Sequence, residues 1–121
     1  MPESRLETAL ARLDALVDWE RRDRSAGMRR GLEPVVDVLE RLGGPHLGWR
    51  AVHVAGTKGK GTTSALVAAG LRRAGLSIGL YTSPHVSRIH ERVQIDGQDV
   101  SDAVLSGAIE RALAAREAAI A

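Results

Sequence analysis

The feature that most constrains this chain is an eight-residue glycine-rich stretch, Gly56-Thr57-Lys58-Gly59-Lys60-Gly61-Thr62-Thr63, between a short apolar run and a helical pattern. Ala51-Val52-His53-Val54-Ala55 precedes it. That run is rich in β-branched residues and reads as a strand buried in a parallel sheet. His53, in the middle of it, reads as a packed core histidine. After the glycines a helix is expected from about Thr62 to Ala74, packing through Leu66, Ala69 and Leu71 and ended by Gly75. Leu76 to Tyr81 reads as the next strand. Strand, glycine turn, helix and strand in that order make a βαβ unit with a right-handed crossover.

The flanks fill in the rest. Leu6, Leu10, Leu13 and Val17 recur at helical spacing, so residues 3 to about 17 form an amphipathic helix. The charged, glycine-closed stretch from Glu20 to Gly31 reads mostly as loop. A second helix runs from Leu32 to Leu42, with Val35, Val38, Leu39 and Leu42 as its apolar face and Pro34 in its first turn. Gly43-Gly44-Pro45 stops it. Arg92 to Asp96 alternates like a short strand, Asp96-Gly97 is a turn signal, and Ser101-Asp102 offers an N-cap for a final alanine-rich helix.

Composition closes off several classes. The 121 residues suffice for one small domain. There is no cysteine, so disulfides, cysteine–zinc sites and thiol catalysis are excluded. Aromatic residues are 2%, so the core must be aliphatic. A net charge of +2 is too small to argue for nucleic acid. No apolar run is long enough to cross a bilayer, and residues 1–6 lack a signal-peptide core, which fits the cytoplasm.

Three requirements for holding phosphate meet in residues 56–63. Glycines let backbone N–H groups curl around oxygens without a Cβ in the way. Lys60 offers a neutralising cation, and a hydroxyl at the start of a helix can hold Mg²⁺. The helix N-terminus itself favours an anion. The generic Walker spacing is not met: its first glycine falls on Val54, and Gly61 follows Lys60 where Ser or Thr is expected, with the hydroxyl one place later at Thr62. The bland alternative is a tight turn with a solvated lysine.

The stretch Val54-Ala55-Gly56-Thr57-Lys58-Gly59-Lys60-Gly61-Thr62 resembles the P-loop variant of the Mur ligase superfamily. The extra Gly61 is similar to the folylpolyglutamate synthase branch, since cell-wall Mur ligases usually carry Thr or Ser there. A second resemblance lies in Leu80-Tyr81-Thr82-Ser83-Pro84-His85-Val86 and Arg88-Ile89-His90-Glu91-Arg92-Val93, similar to that family's "YTSPHL…RFNERI" segment. Here His90 replaces the usual Asn and Ile89 the usual Phe. Gly43-Gly44-Pro45-His46 is similar to the family's Gly-Asn-Pro turn. The resemblance is firm from about Leu42 to Ile95.

It implies a P-loop NTPase-like three-layer α/β/α fold, here the incomplete N-terminal part of a Mur-ligase-type ATP-binding domain with two leading helices. The whole of 1–121 belongs to that part. The remainder of the ATPase domain and the C-terminal glutamate-ligase domain are absent from it. The implied activity is ATP-dependent joining of L-glutamate to dihydropteroate or a (tetrahydro)folate polyglutamate through an acyl phosphate. By resemblance, Lys60 is catalytic, residues Gly56 to Thr63 hold ATP, and Thr62 and Ser83 reach Mg²⁺. Pro84, His85, Arg88, Glu91 and Arg92 form a substrate loop. The family's full-length members are expected to be monomers, without nucleic-acid or membrane partners. Plainer readings stand beside these: Ser83-Pro84-His85 as a turn, Glu91-Arg92 as an exposed ion pair, and the basic run Arg21–Arg30 as a solvated face. Rival functions are a Mur-type peptidoglycan ligase fragment, a non-catalytic truncated phosphate-binding product and a generic P-loop NTPase. The 121 residues alone are expected not to catalyse ligation.

Overall fold

A computed structural model describes residues 2–22 and 31–121, and the side chains of 17–22 lie outside the description. Most of the expected loop from Glu20 to Gly31 therefore lies outside the described residues. The helices are α1 (Arg5–Arg22), α2 (Glu33–Arg41), α3 (Lys60–Arg73) and α4 (Asp102–Ile120), and the strands are β1 (Gly79–Tyr81), β2 (Val93–Ile95) and β3 (Gln98–Asp99). Two 3₁₀ turns, Pro45–Leu47 and Ile89–Arg92, complete the set. The chain divides into two compact units: Met1–Arg50 with Ala103–Ala121, and Ala51–Asp102.

In the first unit α1 and α4 lie side by side and parallel. Arg5 donates to both carboxylate oxygens of Glu110 at 2.8 and 2.6 Å, and Arg12 donates to Glu117 at 2.7 Å. Both steps are seven residues, two helical turns, so the two arginines and the two glutamates climb in the same direction. The Arg5 guanidinium holds the Glu110 carboxyl below the usual carboxylate range. The buried apolar residues of α1, Leu6 and Ala9, and of α4, Leu105, Leu113 and Ala115, form the apolar side of this unit, with Ser106 buried as well. Helix α1 runs further than the periodicity to Val17 predicts.

Helix α2 ends as its sequence requires. Gly44 N–H reaches the Leu39 carbonyl at 2.9 Å, and Gly43 takes φ +88° in a Schellman-type stop. Its expected apolar face is only partly covered: Val35 is exposed, and Val38, Leu39 and Leu42 are half-buried.

The second unit departs most from expectation. Residues 51–56 carry no strand assignment, and His53 is exposed. Val52 is 67% exposed, where a buried strand was expected. A strand exists only through its ladder, and among the described residues none offers this run a ladder. The next expected strand, Leu76 to Tyr81, shrinks to β1, and Arg92 to Asp96 shrinks to β2 after a 3₁₀ turn. The sheet is antiparallel in the order β1-β2-β3, with Gly79 opposite Ile95, Tyr81 opposite Val93, and Ile95 opposite Gln98. No parallel βαβ pairing occurs among the described residues.

The β2–β3 hairpin turns on Asp96-Gly97 as the sequence signalled. Both residues have positive φ, +51° and +82°, the signature of a type I′ turn. Asp96 also accepts the Ile78 N–H at 2.7 Å and the Ser77 hydroxyl, so it anchors the entry to β1. Helix α3 packs against β1. It closes on Gly75 (φ +90°), with Leu76 N–H bonded to the Leu71 carbonyl. Leu66 and Ala69, expected to pack, are exposed, and Leu71 is half-buried. An apolar helix face is covered only when a sheet is present to cover it, and the described sheet is short.

Candidate functional site

The glycine loop folds as a turn leading directly into α3. Residues 57–59 bend, Gly59 takes φ +75° and ψ +8° as the N-cap, and Lys60 is the first helical residue, two positions earlier than the spacing predicts. Gly56 has φ +150°. Residues with a Cβ rarely adopt either conformation, so these two glycines let the chain reverse into the helix. The first helical bond at this end is Thr63 N–H to the Gly59 carbonyl, 2.9 Å. The N–H groups before it lie ahead of the helical ladder. No side chain caps this end. The Lys60 stem runs back toward the loop, its Cγ 3.9 Å from where a Gly56 Cβ would stand. Every residue from Gly56 to Thr63 is exposed.

These features fit an anion. N–H groups at a helix start are uncapped, a Cβ at Gly59 or Gly61 would meet nothing within 4 Å, and the Lys60 stem approaches Gly56. Thr62 stands on the first turn of α3 with an exposed side chain. Lys58 is a bend residue, also exposed.

The second segment leaves β1 and returns to β2. Its base is closed by Thr82 N–H donating to the Arg92 carbonyl at 3.0 Å. Ser83-Pro84 is a cis peptide. Within the segment the Glu91 carboxylate accepts three backbone N–H groups, from Val86 (3.1 Å), Ser87 (3.0 Å) and Arg88 (2.7 Å). Those bonds, with Arg88 the largest contributor, hold the Glu91 carboxyl below the usual carboxylate range. Arg92 Nε donates to His85 Nδ1 at 2.8 Å. Glu91 and Arg92 are thus not the exposed ion pair that adjacency suggests. Each is half-buried and committed elsewhere.

Below this loop sits a pair that sequence reasoning passed over. His90 is 6% exposed, and its Nε2 lies 2.6 Å from Asp102 Oδ1. Its Nδ1 is buried without a partner. Arg88 also approaches Asp102, at 3.9 Å. A histidine replacing the family's usual asparagine was the one available signal; a partner twelve positions away was not.

The predicted residues therefore fall into two groups within one unit. Gly56 to Thr63 form the turn and first helical turn. Pro84, His85, Arg88, Glu91 and Arg92 form one pinned loop after β1, with exposed Ser83 at its start. No hydrogen bond or ion pair among the described residues joins the groups. No set of three acidic, histidine or cysteine side chains able to hold a metal occurs among the described residues. Thr62 and Ser83 are exposed and carry hydroxyl oxygens, the donor type that Mg²⁺ accepts. No helix among the described residues is long and apolar enough to cross a membrane.

Comparison with known proteins gives one consistent group. No family model matches the chain. A probable bifunctional folylpolyglutamate synthase/dihydropteroate synthase of Haloferax volcanii is 42% identical over 85 residues, covering 70% of this chain and 10% of the relative. A folylpolyglutamate synthase of Lacticaseibacillus casei is 41% identical over 83 residues, covering 69% and 19%. Among solved structures, the bifunctional folylpolyglutamate synthase/dihydrofolate synthase of Yersinia pestis superposes with a TM-score of 0.70 at 40% identity, over 87% of this chain and 26% of that one. A folylpolyglutamate synthase complex with AMPPCP and folate superposes with a TM-score of 0.66 at 37% identity, over 74% and 22%. The likeness extends over most of this chain. This chain spans only 10% and 19% of the two curated relatives.

Proposed function

We propose that this chain, a partial relative of the folylpolyglutamate and dihydrofolate synthases, supplies the phosphate-holding part of an ATP-dependent ligase that adds L-glutamate to dihydropteroate or a folate polyglutamate. The observation that carries the reading is the glycine loop: an exposed reversal through Gly56 and Gly59 into an uncapped helix, with Lys60 folded back over it. The identities of 37–42% to ligases of this kind, one of them held with an ATP analogue and folate, support it. The larger frame would be the three-layer α/β/α ATP-binding domain of the Mur-ligase type.

In this reading ATP supplies the phosphoryl group that activates the substrate carboxylate as an acyl phosphate, and Mg²⁺ offsets its charge. Phosphoryl transfer is mainly positioning and charge stabilisation, so the protein needs fixed donors more than reactive groups. The N–H groups from Lys58 to Thr62 would cradle phosphate oxygens, the Thr63 N–H being engaged by the Gly59 carbonyl, and Lys60 would stabilise charge developing during transfer. Thr62 and Ser83 would hold the metal. The loop from Pro84 to Arg92 would face the acyl substrate.

We also propose that residues 1–121 by themselves do not catalyse ligation. Val52 and Leu66, which a complete sheet would cover, are exposed at 67% and 69%. A graft tests the ligase reading. Residues 42–95 of this chain would replace the matching segment of the Lacticaseibacillus casei enzyme. The chimera is expected to retain glutamate addition to folate and to lose it on Lys60→Ala. A folded chimera that binds ATP but adds no glutamate would refute the ligase assignment.

A further inference from the structure

One ring in the loop after β1 has its proton placed by its neighbour. Arg92 Nε donates to His85 Nδ1 at 2.8 Å. A guanidinium has no acceptor, so Nδ1 must present its lone pair, and the proton of the neutral imidazole resides on Nε2. His85 Nε2 has no hydrogen-bond partner among the described residues. It is also not one of the buried unpaired side-chain atoms, which are His46 Nδ1 and His90 Nδ1. Nε2 therefore meets solvent and offers a free N–H.

The backbone carrying this ring is fixed at several points. Thr82 N–H to the Arg92 carbonyl closes the base at 3.0 Å, and Glu91 gathers the three N–H groups just after His85. The charges around it suit an acceptor. Arg92 touches the ring, and Arg88 has a 63% exposed side chain. The loop's one carboxylate, Glu91, is already engaged by three backbone N–H groups.

We infer that His85 is a specificity-determining residue whose Nε2–H donates to an anionic oxygen of the ligand, a carboxylate or a phosphate, and that Arg92 is the positioning residue that fixes its tautomer. A ligand group that is itself a hydrogen-bond donor is rejected at this point. The inference rests on the reading that this loop meets substrate.

The test uses the full chain with ¹⁵N-labelled histidine, following ring nitrogens by NMR at alkaline pH and assigning His85 from His85→Gln. The wild type is expected to show His85 protonated on Nε2 alone, and Arg92→Leu to show a mixture of tautomers. Mg-AMPPCP and folate are then added separately. A shift of the Nε2 resonance with AMPPCP identifies a phosphate, and a shift with folate a carboxylate. His85→Leu is expected to weaken binding of that probe about tenfold, the loss of one charge-assisted hydrogen bond. His85→Gln, which keeps an N–H donor, is expected to retain most of the affinity. An Nδ1–H tautomer in the wild type, or a probe that binds without moving His85, overturns the inference alone. A chain that binds neither probe removes the ligand-binding reading and this assignment with it.

Discussion

Lys60 lies back over Gly56: a Cβ on Gly56 would stand 3.9 Å from Lys60 Cγ. Side chains at a helix start lean toward the N-terminus, so the first residue of α3 is the one whose stem returns over the preceding turn. Gly56 and Gly59, at φ +150° and +75°, make that turn tight enough for the lysine and the uncapped N–H groups to share one surface.

Two glycines in this loop should respond oppositely to alanine. Gly59 is left-handed with nothing within 4 Å of a Cβ, so Gly59→Ala meets backbone strain and no clash. It is expected to destabilise the chain by about 1–2 kcal/mol and to weaken Mg-ATP binding. Gly61 is helical with equal space around it. Gly61→Ala is expected to stabilise the fold by about 0.5–1 kcal/mol while still weakening binding, because its methyl enters the cradle. Thermal unfolding set beside calorimetric titration separates the two.

The Glu91 loop should be acid-sensitive. Three N–H bonds lower the Glu91 pKa in the folded chain. A lowered folded pKa contributes stability that is present above the ordinary carboxylate range and lost as the pH falls through the folded value. The amides of Val86, Ser87 and Arg88 are expected to be protected from hydrogen exchange at neutral pH and to lose protection below that range. Glu91→Gln should leave them weakly protected with no such acid-side change. Equal protection in both proteins would contradict the assignment.

Asp102 should matter through His90. With His90 Nδ1 already unpaired, removing Asp102 leaves a buried ring with neither nitrogen partnered among the described residues. Asp102→Ala is expected to cost about 1–3 kcal/mol in urea unfolding. Asp102→Asn keeps an acceptor for Nε2–H and should cost clearly less. If the two substitutions cost the same, the histidine bond is not the source of the effect.

Local signals read well from sequence. Four helices, the stops at Gly43 and Gly75, and the Asp96-Gly97 turn depend on neighbours within a few residues, and the structure has them all. The glycine turn into α3 was legible for the same reason: its conformation depends on eight consecutive residues. Features requiring distant partners were not. Ala51–Ala55 has strand composition, but composition cannot supply a ladder. Leu66 has helical spacing, but spacing cannot supply a sheet to cover it. Glu91 and Arg92 suggested a pair because they adjoin, whereas the fold turns one to backbone N–H groups and the other to His85. The parallel α1–α4 contact through Arg5 and Glu110 spans 105 positions and had no local mark. The roles proposed for Thr62 and Ser83 rest on family resemblance alone, since isolated hydroxyls carry no spacing code.

If this loop holds a nucleotide phosphate through Lys60, calorimetric titration of the purified chain with Mg-ATP will register it. The wild type is expected to bind with a measurable heat, and Lys60→Ala, folded equally well by circular dichroism, to lose about tenfold or more in affinity. Equal binding by the two proteins, or no binding by a folded wild type, would contradict it.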